Sequence, residues 1–326
     1  MTVFASVPAV GTGQDLTGDI AAWTGSEPLR RLVAAFGGSD VLFGDDRFGD
    51  EVARRLERLD AFSDRWDTRR GAERNLAATL DLTPDQENLV LAAARALGLV
   101  HPVPPSRARY DHIFVLGGLV RACLVRPAYA AELIRSGTVW APVVTALGGH
   151  RPFGGDEPEL ARRAGIPAIE EEYEALDAGT RHAFGLGNPI AQEGATSDLP
   201  GGTWSVRTYE DPSGLRVNVA AAPSSVPAER RANTADTYAW FASHLARLEK
   251  GQSLLAVTTA IYVPAQQAAA LRMLALPFGV AVETVGVIPG DVLPALAQPF
   301  GPSQYLQEIR SAIRGYRNLL AAQLRN

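Results

Sequence analysis

Two glycines follow a strand-like segment at 110–116, and this arrangement is typical of a turn that binds a ligand. The segment is short, apolar and rich in β-branched and aromatic residues, as a buried parallel strand is. Glycine beyond the carboxyl end of such a strand lets backbone amides and a helix N-terminus approach a ligand closely. The segment 142–147 repeats the pattern, and a third apolar run, 253–259, ends at small polar residues. These three strand ends predict a shared ligand crevice, to which we assign Gly117, Gly118, Gly148, Gly149 and Thr258.

The glycine-rich loop 147–159 adds titratable side chains beside this crevice. His150 and Glu157 are candidates for general acid and base, because each residue type can exchange a proton near neutral pH when its surroundings shift its pKa. A second interpretation of the loop needs no ligand. Acidic residues at the start of the next helix, Glu157 among them, would stabilise the helix dipole on an ordinary surface loop.

A further polar cluster begins at Asn233, in the sequence Asn-Thr-Ala-Asp-Thr that precedes an aromatic segment. Asn233 and Thr234 have the residue types of a helix N-cap, and the same helix N-terminus could bind an anion or a ribose. Asp236 is the third candidate acid or base. The acidic run 170–174 is interpreted differently: adjacent carboxylates diverge around a helix, which favours a solvated helical face over a cation site.

Composition excludes several classes of protein. Residues 1–105 contain 11 arginines and 16 acidic residues and so carry the whole net charge of −5, an imbalance that argues against a nucleic-acid partner. No apolar run approaches the roughly 20 residues that span a bilayer, so we expect a cytoplasmic protein with no membrane partner. The single cysteine, Cys123, and five scattered histidines predict no metal site. Lys250 is the only lysine and lies at a predicted helix end, which leaves Schiff-base chemistry without a candidate.

The order of elements predicts an α/β fold. The first 105 residues favour helices, with Thr83, Pro84 and Gln86 at the start of one of them in a capping-box pattern. Prolines at 102–105 mark a boundary, after which strands alternate with helices to residue 326. We therefore predict a Rossmann-like, mostly parallel sheet with helices on both faces over 106–326 and a helical region over 1–105. An insertion at about 165–230 is predicted to form a β-hairpin or an antiparallel edge added to the sheet.

Taken in order, these motifs resemble the YdcF/SanA/ElyC-like family of Rossmann-like domains over about residues 110–326. The resemblance rests on the Gly117-Gly118 turn, the Gly148-Gly149 turn with the downstream Glu157, the Asn233-Thr234 helix start and the 257–259 strand end. The chain departs from the family pattern at Tyr262 and beyond, where an expected arginine is missing or is replaced by Gln266 or Gln267. It also has leucine in place of the serine before Gly148.

The resemblance implies S-adenosylmethionine as the candidate cofactor, with Tyr262 added to its binding site. On this hypothesis the chain is a small-molecule enzyme that transfers a group in the biosynthesis of a metabolite. Asn233 and Thr234 would face a carboxylate or phosphate of the ligand, and Glu157 would accept from a ribose hydroxyl or an amine. The alternative is a non-catalytic binding or scaffold protein that docks a partner enzyme or a second copy of itself. A dinucleotide-dependent oxidoreductase ranks lower, because no Gly-x-Gly-x-x-Gly follows the first strand.

Overall fold

The computed structural model describes residues 3–13, 15–39, 42–43, 49–68, 79–166 and 168–325. The chain divides into two compact units. One comprises Met1–Pro102, Ala260–Arg272 and Pro299–Asn326, and the other comprises Val103–Thr259 and Met273–Gln298. The first division, at residue 102, lies close to the boundary predicted at residue 105. The structure adds two later segments to the N-terminal unit, including the last helix of the chain.

The first unit is helical. Its helices are α1 (Leu16–Thr24), α2 (Glu27–Ala35), α3 (Gly49–Ser63), α4 (Pro84–Ala96), α9 (Val263–Ala270) and α12 (Pro302–Gln323). Helix α4 starts with the predicted capping box: Gln86 N–H donates to Thr83 Oγ1 at 3.3 Å, and Thr83 N–H donates to Gln86 Oε1 at 3.0 Å. The core is aromatic, since Trp23 of α1 and Tyr316 of α12 are both buried with ring centroids 4.9 Å apart.

The second unit is built on a seven-stranded sheet in the order β3-β4-β5-β2-β1-β6-β7. Its strands are β1 (His112–Leu116), β2 (Val143–Gly148), β3 (Ala191–Ala195), β4 (Trp204–Glu210), β5 (Arg216–Ala221), β6 (Ser253–Thr259) and β7 (Ala281–Val287). Strands β5, β2, β1, β6 and β7 are parallel, while β3 and β4 extend the sheet in antiparallel fashion. The predicted α/β fold with a mostly parallel sheet and an N-terminal helical region is confirmed.

The helices of this unit are α5 (Val120–Arg135), α6 (Glu157–Arg163), α7 (Glu172–Phe184), α8 (Thr234–Trp240), α10 (Leu276–Phe278) and α11 (Pro289–Val292). Strand β1 lies between β2 and β6, so the strand order reverses at β1. In open parallel sheets of this kind ligands bind at such a reversal, outside the carboxyl ends of the strands. We call this side of the sheet the carboxyl edge.

The predicted hairpin is present, but its second strand is not part of an insertion. Strands β4 and β5 pair antiparallel and are joined by a turn in which Asp211 Oδ1 accepts from the N–H groups of Ser213 and Leu215. Strand β5 also pairs parallel with β2 along Val143–Gly148. It is therefore the third strand of the parallel core, and β3 and β4 are antiparallel additions to that core.

Among the described residues, no helix combines the length and apolar character that crossing a membrane requires.

Candidate functional site

The glycine turns after β1 and β2 lie side by side at the carboxyl edge. The two strands pair from Ile113 to Leu116, and Gly117 N–H donates to the Leu147 carbonyl at 2.7 Å. A Cβ atom on Gly117 would lie 2.7 Å from Glu172 Oε1, and one on Gly148 would lie 3.2 Å from the same oxygen. The space that these glycines leave therefore holds a carboxylate of the chain itself.

A second internal carboxylate lies at the N-terminus of α5. Glu157 Oε1 accepts from Val120 N–H, the first residue of that helix, at 3.0 Å. Glu157 is 2% exposed, and its other acceptor sites receive Gly154 N–H at 3.0 Å and the guanidinium of Arg151 at 2.7 and 2.8 Å. In related sheets this helix N-terminus is where a phosphate binds. Here Glu157 occupies that position.

Arg151 joins the two carboxylates. Its Nε donates to Glu172 Oε2 at 2.9 Å, while its terminal nitrogens bond to Glu157 and to the Gly118 carbonyl. Burial alone would lower the pKa of Arg151, but its hydrogen bonds and attraction to the two glutamates raise it. Burial raises the pKa of the Glu172 carboxyl even though Arg151 opposes the shift. We call Arg151, Glu157 and Glu172 the edge cluster.

The interpretation of 170–174 as a solvated helical face is wrong for Glu172. Helix α7 begins at Glu172, so this side chain lies on the first turn and reaches the strand ends, with only 12% of it exposed. Glu174 also has a partner in the protein, because Arg207 of β4 donates to both of its carboxylate oxygens at 2.8 and 2.9 Å.

Sequence reasoning missed Arg126, which lies at the strand reversal. This side chain is 3% exposed and donates from Nη1 to the carbonyls of Leu116 and Gly117, at 2.8 and 2.5 Å. Its Nε donates to Thr259 Oγ1 at 3.0 Å, so it links the carboxyl ends of β1 and β6. The neighbouring Thr258 is fully buried. An arginine within the otherwise apolar segment 122–127 was the available sequence signal.

The polar cluster at the start of α8 is a capping arrangement. Asn233 Oδ1 accepts from the N–H groups of Ala235 and Asp236, and Asp236 Oδ2 accepts from Asn233 N–H. Arg230 pairs with the Asp236 carboxylate. Burial would raise the pKa of Asp236, but Arg230 and hydrogen bonds from Ser225 and Asn233 hold it well below its usual range. An ionised carboxylate with so low a pKa is a weak base, so we assign Asp236 no part in proton transfer.

His150 has the surroundings of an acid/base group. It follows β2, its ring lies 5.1 Å from that of Tyr173, and 24% of its side chain is exposed. Its Nδ1 lies 3.3 Å from both carboxylate oxygens of Glu171, and its Nε2 lies 3.0 Å from Ser205 Oγ. The predicted acid/base residues are thus separated: His150 is solvent-accessible, whereas Glu157 is enclosed in the edge cluster.

Of the remaining predicted site residues, Thr234 is exposed at the start of α8. Tyr262 belongs to the helical unit, where its ring contacts that of Phe300 with centroids 6.3 Å apart. Within the described ranges no group of three His, Cys, Asp or Glu side chains is placed to hold a metal ion.

Replacing Gly117 with alanine should destabilise the protein by about 1–3 kcal/mol, since the added methyl group must displace Glu172 or the backbone beside it. Besides Glu172, the Leu147 carbonyl oxygen would lie 3.0 Å from the new Cβ. Urea denaturation measures the loss. Gly149→Ala is the matched control, because no atom lies within 4 Å of its Cβ position. Equal stability of the two variants would contradict this account of the turn.

Comparison with known proteins gives one family and three full-length relatives. Residues 8–98 match the family described as the Rv3785 N-terminal domain. The chain is 32% identical to uncharacterized protein Rv3785 of Mycobacterium tuberculosis (strain ATCC 25618 / H37Rv), over 98% of this chain and 93% of the relative. The uncharacterized proteins MT3893 of M. tuberculosis (strain CDC 1551 / Oshkosh) and Mb3814 of Mycobacterium bovis match with the same identity and coverage. No solved structure matches the chain with significance. The resemblance to the YdcF/SanA/ElyC-like family stays a prediction.

Proposed function

This chain belongs to the same family as uncharacterized protein Rv3785, and we propose that it is an enzyme that binds a nucleoside-type small molecule at the carboxyl edge of its sheet. The proposed ligand presents an amine or a sulfonium group at this edge, and S-adenosylmethionine is the candidate. The reaction class is group transfer in the biosynthesis of a small metabolite. A cytoplasmic location is part of the proposal, in keeping with the single buried thiol of Cys123.

The observation that carries the proposal is the pair of carboxylates that fills the turn. Glu157 already accepts from the N-terminus of α5, and Glu172 fills the glycine-lined space beside it. A phosphate brought to this turn would find the N-terminus of α5 already bonded to Glu157, and it would meet an edge cluster in which two carboxylates outnumber the single guanidinium of Arg151. A cationic sulfonium or an amine would instead be attracted. The arrangement therefore favours S-adenosylmethionine over a polyphosphate nucleotide.

His150 is the acid/base group of the proposed reaction. It is partly exposed, follows the open position at Gly149, and is oriented by Glu171. Glu157 holds the turn in place, because it bonds to backbone amides and to a buried arginine. We assign Asn233 and Thr234 to the rim of the crevice and not to direct contact with an anion.

Calorimetric titration tests the proposal. We expect saturable heat with S-adenosylmethionine and S-adenosylhomocysteine and no heat with ATP. Gly149→Val should weaken the binding of S-adenosylmethionine by at least about tenfold, or roughly 1.4 kcal/mol, because the new side chain enters open space beside His150. Gly187→Val is the matched control, since it also meets no atom within 4 Å and lies after α7, remote in sequence from the strand-end turns. Binding of ATP in preference to S-adenosylmethionine would contradict the charge argument.

The non-catalytic alternative is supported by the same internal carboxylates, because a turn completed by its own side chains can stand without a ligand. On that hypothesis the chain docks a partner enzyme or a second copy of itself. It predicts no heat of binding with any of the three ligands, either for the wild-type protein or for Gly149→Val. The calorimetric series therefore separates a crevice that binds a nucleoside-type ligand from a turn that binds none.

A further inference from the structure

Three strands bring Ser205 to His150 at the carboxyl edge. Gly148 at the end of β2 pairs with Ala221 at the end of β5, and Ala221 pairs in turn with Ser205 near the start of β4. Because β4 runs antiparallel to its neighbours, its beginning lies at the carboxyl ends of the parallel strands. His150, two residues beyond Gly148, is therefore within reach of the Ser205 hydroxyl.

The hydrogen bonds form a carboxylate–imidazole–hydroxyl relay. The Glu171 carboxylate accepts from His150 Nδ1–H at 3.3 Å, which leaves Nε2 as the acceptor for the Ser205 hydroxyl at 3.0 Å. This is the arrangement in which a serine becomes a nucleophile, and it is recognised by geometry and not by sequence order. We infer that Ser205 is the covalent nucleophile of an acyl-transfer reaction, with His150 as its general base and Glu171 as the residue that positions the imidazole.

The elements around the relay hold it in place and leave it accessible. His150 contacts the ring of Tyr173 on α7, and Arg207, two residues after Ser205 on β4, lies over the same ring at 5.0 Å. The side chains of His150 and Glu171 remain 24% and 32% exposed. Ser205 is itself partly exposed, so a small ester can reach its hydroxyl from solvent.

The reaction balances without a cofactor. Ser205 Oγ attacks the carbonyl carbon of a small ester or thioester while its proton passes to His150 Nε2. The bond to the leaving oxygen or sulfur then breaks, and the leaving group takes the proton from His150. Water or an acceptor hydroxyl attacks the acyl-serine, giving its own proton to His150, which returns it to Ser205 as the product leaves. This inference rests on the acid/base role proposed for His150 and not on the identity of the crevice ligand.

Labelling with a fluorophosphonate tests the inference. The probe bonds to an activated serine oxygen through phosphorus with loss of fluoride, and peptide mass spectrometry locates it. We expect modification at Ser205 in the wild-type protein, none in Ser205→Ala, and normal labelling in Ser243→Ala, which removes an exposed hydroxyl that donates to the Ala239 carbonyl. His150→Ala should slow labelling by about 10²–10⁴-fold, the usual contribution of a general base.

Two further measurements distinguish chemistry from structural damage. Added imidazole should restore labelling in His150→Ala. Glu171→Asp, which keeps a carboxylate, should be labelled faster than Glu171→Gln. The assignment of Ser205 as the nucleophile would be overturned by any of three results: no label, label on another residue, or a labelling rate that does not change in His150→Ala. If S-adenosylmethionine still binds in a Gly149-dependent manner under those outcomes, the proposed function stands without this inference. Labelled Ser205 with no nucleoside binding would instead support the nucleophile and contradict the proposed ligand.

Discussion

Replacement of Glu157 with alanine should lower the free energy of unfolding by about 3–5 kcal/mol, the usual cost of removing one partner from a buried ion pair. The variant leaves the 8%-exposed Arg151 with Glu172 as its remaining carboxylate and takes away the acceptor of Val120 N–H. Glu157→Gln keeps an acceptor for Val120 but loses the charge, so its stability should fall between those of wild type and alanine variant. Urea denaturation followed by far-UV circular dichroism measures all three.

Glu159→Ala provides the matched control for this prediction. Glu159 lies on the first turn of the same helix, α6, and is 46% exposed while it pairs with Arg162 and Arg163. Its pairs are solvated and should contribute little to stability. Equal stability of the two alanine variants would contradict the conclusion that the edge cluster stabilises the fold. A large loss in Glu157→Ala alone would also mean that reduced turnover in that variant cannot by itself identify Glu157 as catalytic.

The elements of the fold were predictable because each has a local sequence pattern. Three of these patterns are short-range signals that the structure contains: the period-two hairpin around Asp211, the capping box at Thr83 and the apolar run of β6. The position of β5 was not predictable in this way. Its pairing with β2 joins segments about 70 residues apart, and no local pattern distinguishes a core strand from the second arm of an inserted hairpin.

The site was predicted less completely, for the same reason. The glycines at Gly117 and Gly148 were found, but the group that they accommodate is Glu172, which belongs to a run that we interpreted as solvated. Ser205 carries no sequence signal, because its chemistry depends on His150 from another strand end. A buried arginine such as Arg126 can be suspected from its apolar surroundings, yet only the fold shows that it links two strand ends.

Replacement of Gly179 with alanine should cost about 3 kcal/mol, at the upper end of the usual range for overpacking. Gly179 lies in α7 where this helix crosses α5, and a Cβ atom there would overlap the Cys123 carbonyl oxygen and lie 3.1 Å from Leu124 Cα. Both atoms are backbone, so a side-chain rotation cannot relieve the contact. Alanine would gain about 1 kcal/mol of helix propensity, which is too little to offset the collision. Pro127 contributes to the close approach, because it has no N–H to donate to the Cys123 carbonyl.

Gly18→Ala in α1 is the control: the atom nearest to its Cβ position is a carboxylate oxygen of Asp15, a side chain that caps the helix, so the loss should stay near the roughly 1 kcal/mol contribution of an N-cap. Gly179→Ala should also weaken ligand binding at the carboxyl edge. Helix α7 carries Glu172 of the edge cluster, and the N-terminus of α5 donates from Val120 N–H to Glu157 of the same cluster, so forcing the two helices apart strains the bonds through Arg151. We expect Gly179→Ala to lose stability and S-adenosylmethionine binding together, whereas Gly149→Val loses binding with stability intact. If Gly179→Ala unfolds more easily yet binds normally, the spacing of the two helices does not control the site.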